Sequence, residues 1–328
     1  MKRLVSITLM LACLTLVVAP APPALALDKV SFRLNWILSG FHTVFYLGLE
    51  RGYYRDEGID LSIGEGQGSI RAVQVVAAGG DNIGLSDGSS VISGNARGAD
   101  VMAFMGVMNK SPYTISARAD SGVKKLKDLE GRIIAATAGE PGLPLLQAIW
   151  KVNGIDGGKV RILNVDGPGK IVAVLEKRAD ALLAGIENQV IILRHRGVEQ
   201  VVFHYPDVGV NTLGLTIHAK REYVQKNPDL IRRFVRATIR SFQAAMENPE
   251  ASVEAGMKVK PGVDRRLTLD QLKASLPLVY SLHDDRKRLG WMSPKDWEDT
   301  LSLMKEYMEL RTDLAPTTLY SNAYLPYQ

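Results

Sequence analysis

Cysteine is almost missing from this sequence. Among 328 residues the one cysteine is Cys13. It lies in an N-terminal apolar run, so the rest of the chain has no disulfide and no thiolate chemistry. Histidine is nearly as scarce, and His42, His195, His204, His218 and His283 fall at no spacing that suits a metal ion. A large charge excess is lacking too. The 40 Lys and Arg face 35 Asp and Glu, a formal +5 of which Lys2 and Arg3 supply part. So small and dispersed a charge excludes a nucleic-acid-binding surface. Nor is there a G-x-S-x-G nucleophile elbow, an H-E-x-x-H pair or a phosphate loop. The run Gly64-Glu65-Gly66-Gln67-Gly68 is Gly-rich, but its spacing does not fit a dinucleotide fingerprint. No cofactor, metal or catalytic residue is therefore expected, and nothing calls for an enzyme.

What is present starts with a leader. Lys2 and Arg3 precede the apolar run Leu4–Val18, and Pro20, Pro22 and Pro23 break it ahead of Ala24-Leu25-Ala26. The run is about 15 residues long, short of the roughly 20 that cross a bilayer, and a small-residue cleavage site follows it. Residues 1–26 thus read as a signal peptide cut after Ala26. Apolar sequence continues past Cys13, unlike a lipidation site. No later apolar stretch reaches spanning length, so an exported, soluble chain large enough for two lobes is expected.

Short alternating runs then interleave with helical patterns, as in α/β folds. Strands are expected at Val30–Leu34, Ile59–Ile63, Ile83–Leu85 and Val101–Val107, with helices at Thr43–Glu50 and Ser69–Ala78. The pattern restarts with strands at Ile133–Ala136, Val160–Leu163 and Ala181–Ala184, and helices through Trp150 and over Lys170–Lys177. This second series reads as its own lobe, entered through Tyr113–Ala117 and left through Leu213–His218, a pair of hinge strands. Lobe one is therefore 27–114 plus 216–328, and lobe two is 115–215. Asn227-Pro228, Asn248-Pro249 and Ser293-Pro294 each place a capping residue before a Pro at the first helical position.

Ligands of open α/β sheets sit beyond the carboxyl ends of the strands. That rule selects Asn35–His42, Ser86–Ser89, Thr137–Gly142 and Gly185–Asn188, two segments from each lobe. Trp36, between Asn35 and a Ser-Gly turn, suits a platform for a flat ring, or a place in the core. His42 opens a helix and either donates to a ligand or caps backbone. Ser86 and Ser89 either cap the next helix or leave its N–H groups free, and Thr137 with Gly139 has the same ambiguity. Glu187 is the candidate for a ligand contact, or else pairs with Arg194 or Arg196. The expected set is Asn35, Trp36, His42, Tyr46, Ser86, Asp87, Thr137, Gly139, Glu187 and Asn188.

The segment Leu34-Asn35-Trp36 … His42-Thr43-Val44-Phe45-Tyr46 … Glu50-Arg51-Gly52-Tyr53-Tyr54-Arg55-Asp56-Glu57-Gly58-Ile59-Asp60-Leu61 resembles the type II periplasmic binding proteins of the thiamine-pyrimidine, riboflavin, sulfonate and nitrate group. Ile83–Asp87, Leu126–Gly131, Arg178–Ala181 and Asn227–Phe234 echo it in family order. The resemblance implies a two-lobed type II α/β fold, each lobe a mixed sheet flanked by helices, joined by two hinge strands. It implies a monomeric periplasmic receptor that binds a small aromatic or heterocyclic solute, such as a pyrimidine precursor of thiamine. Closure would hand the solute to the permease subunits of an ABC importer with a cytoplasmic ATPase. Trp36 matches the aromatic that stacks on the ligand, His42 the polar residue opening the first helix, and Glu187 falls near the acid that pairs with an aminopyrimidine. Pyrimidine-binding members carry Asp before the Trp, where this chain has Asn35, which puts that ligand in doubt. Receptors for alkyl or aryl sulfonates, carboxylates or nitrate remain alternatives, as does a sensor ectodomain. So does an enzyme like the pyrimidine-forming branch, whose Cys-rich iron motif is missing here.

Overall fold

A computed structural model describes residues 26–327. The expected leader and its cleavage site lie outside the described residues, except for Ala26. Ten strands are formed among the described residues: β1 Asp28–Arg33, β2 Ile59–Gly64, β3 Ile83–Asp87, β4 Val101–Gly106, β5 Tyr113–Arg118, β6 Ile133–Ala136, β7 Arg161–Asn164, β8 Ala181–Gly185, β9 Gln200–His204 and β10 Leu215–Lys220. They make two five-stranded sheets, ordered β2-β1-β3-β10-β4 and β7-β6-β8-β5-β9. In the first, β1 runs parallel to β2 and β3, while β10 runs antiparallel to β3 and β4. In the second, β6 runs parallel to β7 and β8, while β5 runs antiparallel to β8 and β9.

The two reversed strands have one cause. After β4 the chain leaves the carboxyl end of the first sheet and begins β5 at the facing edge of the second. After β9 it returns the same way into β10. Each arriving strand starts at the cleft and must run away from it, opposite to the strands it joins. The stretches expected as hinges, Tyr113–Ala117 and Leu213–His218, therefore lie mostly within the sheets, and the crossings precede them. The crossings run side by side: Val107 and Met108 N–H donate to Leu215 O at 2.8 and 3.0 Å, and Tyr205 N–H to Tyr113 O at 2.9 Å.

Helices cover the first sheet because their apolar stripes face it. Phe234 and Phe242, on the helix Pro228–Glu247, pack edge-on against Phe32 and Phe45, and Phe41 joins the same cluster. The helix Pro294–Tyr307 reaches further. Trp297, Leu301 and Met304 enter a core with Val73, Val91 and Ile92, while Leu303 and Tyr307 pack against the core of the second sheet. Asn248 and Ser293 cap helices through their side chains as expected. Asn227 does not. Its Nδ2 donates back to Tyr223 O at 2.8 Å, closing the preceding short helix.

Phe242 is buried between Phe41 and Phe45 at ring separations of 5.8 Å. Phe242→Ala should cost about 3–5 kcal/mol of stability by urea unfolding. A loss below about 1 kcal/mol would show that this cluster does not join helix to sheet.

Candidate functional site

The parallel strands of both sheets end at the cleft, where the intervening space holds about 660 Å³, counting the part open to solvent. The loop after β1 forms one wall. Its backbone is tied to the loop after β2, with Gly66 N–H donating to Trp36 O at 3.0 Å and Gly68 N–H to Asn35 O at 2.7 Å. The Glu65 carboxylate takes the Leu38 N–H at 2.8 Å and pairs with Lys260 at 2.6 Å. Held at both ends, the loop presents Asn35 and Trp36 half-buried on the cavity wall.

His42 is buried beneath that loop. Its Nδ1 lies 3.1 Å from the Ser39 N–H and 3.0 Å from Ser39 Oγ, and its Nε2 lies 3.0 Å from Asn35 Oδ1. Burial lowers its pKa to about 4, against the opposing pull of Glu65. The ring is neutral at physiological pH, and both nitrogens are occupied.

The facing wall carries ionisable groups. Glu140 Oε2 forms an ion pair with Lys170, whose ammonium also donates to Leu183 O at 2.9 Å and stands 5.4 Å from the centroid of the Trp36 ring. Glu140 Oε1 accepts the Thr137 N–H at 2.7 Å. Burial raises the Glu140 pKa, and Lys170 opposes the rise. Among the described residues Glu187 has no such partner. Its Oε2 is buried without a hydrogen bond, and burial lifts its pKa to about 7. Burial, with Asp87, Glu187 and Glu140 nearby, also raises the Tyr113 phenol well above its ordinary value, so Tyr113 stays protonated.

The lobes meet around this cavity. A β-carbon at Gly167 would lie 2.5 Å from Trp36 Cζ2, and one at Gly68 would lie 2.6 Å from Gly139 O. The cleft lips can approach this closely only because both positions lack a side chain. Gln271 links the lobes by accepting the Gly40 N–H at 3.1 Å and donating to Asn188 Oδ1 at 2.9 Å. Beside it, His195 Nε2 and Asp270 are 2.7 Å apart.

Of the expected set, Asn35, Trp36, His42, Glu187 and Asn188 line this one cavity. The other five do not. Tyr46 belongs to the aromatic core, where burial pushes its phenol up to about 12. Ser86 is fully buried, with Oγ 3.1 Å from Ser69 O and 2.8 Å from Leu85 O. Asp87, rather than Ser86 or Ser89, is the cap of the helix Gly88–Ala96, taking the Ser90 N–H at 3.0 Å and the Ser89 hydroxyl at 2.5 Å. Thr137 is held behind Glu140, and Gly139 lies at the lip beside Gly68. His42 touches the cavity but has no free nitrogen for a ligand. Sequence reasoning missed Tyr113, Glu140 and Lys170. An acid inside the selected Thr137–Gly142 loop was the signal for Glu140, whereas Lys170 looked like any helical surface lysine.

Two α/β lobes with the chain crossing between them twice, around a walled cleft, define the periplasmic binding protein fold. The alkanesulfonate-binding protein SsuA of Xanthomonas axonopodis pv. citri, solved with MOPS bound, has that fold at a TM-score of 0.72 and 14% identity, over 92% of this chain and 99% of its own. The chain belongs to the NMT1/THI5-like family, whose profile matches residues 40–252. It is 24% identical to the formylaminopyrimidine-binding protein of Halalkalibacterium halodurans, over 98% of this chain and 99% of that one. It is also 24% identical to the riboflavin-binding protein RibY of Chloroflexus aurantiacus, over 94% and 89%. Other relatives are named 4-amino-5-hydroxymethyl-2-methylpyrimidine phosphate synthases.

Glu187 makes stability depend on pH. An unfolded carboxyl titrates near 4.5 and the folded one near 7, so between these values the folded state holds the extra proton and stability falls as pH rises. Glu187→Gln should be more stable than the parent by about 3 kcal/mol at pH 8 and equal to it at pH 4, read by urea unfolding without ligand. Equal midpoints at pH 8 would show that the carboxyl is not buried as described.

Proposed function

We propose that this chain is the extracytoplasmic solute-binding component of an ABC importer and that it takes an uncharged, flat heteroaromatic solute. Trp36 from one lobe offers a ring face. Tyr113 and Glu187 from the other offer a neutral phenol and an unpaired carboxyl. Closure buries the solute and presents the closed surface to membrane permease subunits coupled to a cytoplasmic ATPase. The protein acts as a monomer outside the cytoplasm, after removal of residues 1–26.

The observation that carries this reading is the charge of the cavity. No Lys or Arg lines it among the described residues, and Lys170, which reaches the Trp36 ring, is already neutralised by Glu140. A sulfonate, carboxylate or nitrate would meet the unpaired Glu187 carboxyl and no unpaired cation, at a cost that grows with burial. A neutral ring meets no such penalty. The pyrimidine- and riboflavin-binding relatives support the heteroaromatic class. Binding without turnover is favoured because both nitrogens of His42 are engaged within the loop.

Native mass spectrometry of protein purified from its own host should show one retained heteroaromatic molecule, released chemically unchanged. A retained sulfonate, or conversion of the ligand on incubation, would overturn the reading. Trp36→Ala should weaken binding of that ligand by more than about 1 kcal/mol in calorimetry while the fold is kept. Unchanged affinity would remove Trp36 from the site.

A further inference from the structure

We propose that His42 is a positioning residue that locks the side-chain amide of Asn35 in one orientation, so that the cleft selects rings presenting a hydrogen-bond acceptor to Asn35. The proposal rests on the heteroaromatic reading above and sets the polarity of one edge of that site.

One donor in this cluster is unambiguous. The Ser39 backbone N–H can only donate, and it lies 3.1 Å from His42 Nδ1, so Nδ1 is the unprotonated nitrogen. A neutral imidazole then carries its hydrogen on Nε2, which stands 3.0 Å from the Asn35 amide. That N–H requires an acceptor, so Oδ1 of Asn35 faces His42. Nδ2 is left as the polar group that Asn35 offers to the cavity, and it has no protein partner among the described residues. Backbone geometry at Ser39 therefore fixes which end of Asn35 a ligand meets, two residues removed from the ligand itself. The relay is sealed. His42 is 3% exposed, and burial keeps it neutral down to a pH of about 4, so the chain of donors does not reverse over the physiological range. An Asp in place of Asn35 would accept from His42 with one oxygen and turn the other, also an acceptor, toward the ligand. Asn and Asp at this position thus present opposite polarities on nearly the same shape, and a site left with an unpaired buried polar group rejects the mismatched ring.

Two measurements test this. In ¹⁵N-labelled protein without ligand, the His42 ring shifts should show the Nε2–H neutral tautomer from pH 5 to 8. The Nδ1–H tautomer, or a protonated ring at pH 6, would overturn the relay. Uracil and cytosine then serve as a ring pair differing in an oxo against an amino edge. The parent protein should bind uracil at least about tenfold more tightly than cytosine. Asn35→Asp should reverse the preference, and His42→Phe, which frees the amide to rotate, should bring the ratio near one. His42→Gln, whose amide can restore a donor, should recover part of it. Binding of both bases with a ratio unmoved by Asn35→Asp and His42→Phe overturns the relay alone. If neither base binds, the cleft does not take a pyrimidine ring and the selection falls with that reading.

Discussion

The constraint on which the rest of the structure depends is that the chain crosses between the lobes twice, both times at the carboxyl ends of the parallel strands. This fixes β5 and β10 as the reversed strand of each sheet, because each begins where the other lobe leaves off. It also gathers the loops after β1, β6 and β8 around one space. The cavity is therefore a product of topology before any side chain is chosen. The side chains then decide what the space is good for: one aromatic face, one neutral phenol, one unpaired acid and one oriented amide.

The cleft keeps its ionisable groups by three different means. Glu140 and Lys170 neutralise each other, and the ammonium gains a carbonyl besides, which is how a buried pair avoids the full desolvation cost. His42 is stripped of charge by burial and kept in place by a backbone donor. Glu187 has neither remedy and carries the strain as a raised affinity for its proton. Unpaired groups of this kind concentrate where something else supplies the missing partner.

Much of the fold was legible in the sequence, because Ile59–Ile63 alternates cleanly while Ile133–Ala136 and Thr43–Glu50 are compact apolar runs that the folded lobes bury. The lapses have physical reasons. Every residue of β9 is half-buried, so the strand lacks the alternation that marks one. The helix Arg265–Ser275 is largely polar, and its inward face, Thr268, Gln271, Leu272 and Ser275, carries one apolar side chain, so it lacks an apolar stripe. For the site, the rule of strand ends located the right loops but could not say which side chains point inward. Ser86 and Asp87 are the last residues of β3, where Trp36 lies beyond the end of β1, and one is buried against carbonyls while the other caps a helix. Lys170 was invisible because only the folded lobe reveals that its apparent surface is an interior.

The helix Pro294–Tyr307, which packs into both cores, has a consequence for the order of assembly. The second sheet uses strands between Tyr113 and His204 and is complete once that stretch has formed. The first sheet waits for β10, and its covering helices come later still in the chain. Long-range pairings of this kind close slowly, because loop entropy must be overcome before contact is rewarded. The inserted lobe is thus the natural early folding unit. The last helix acts as a seam, joining the late-forming lobe to one already in place.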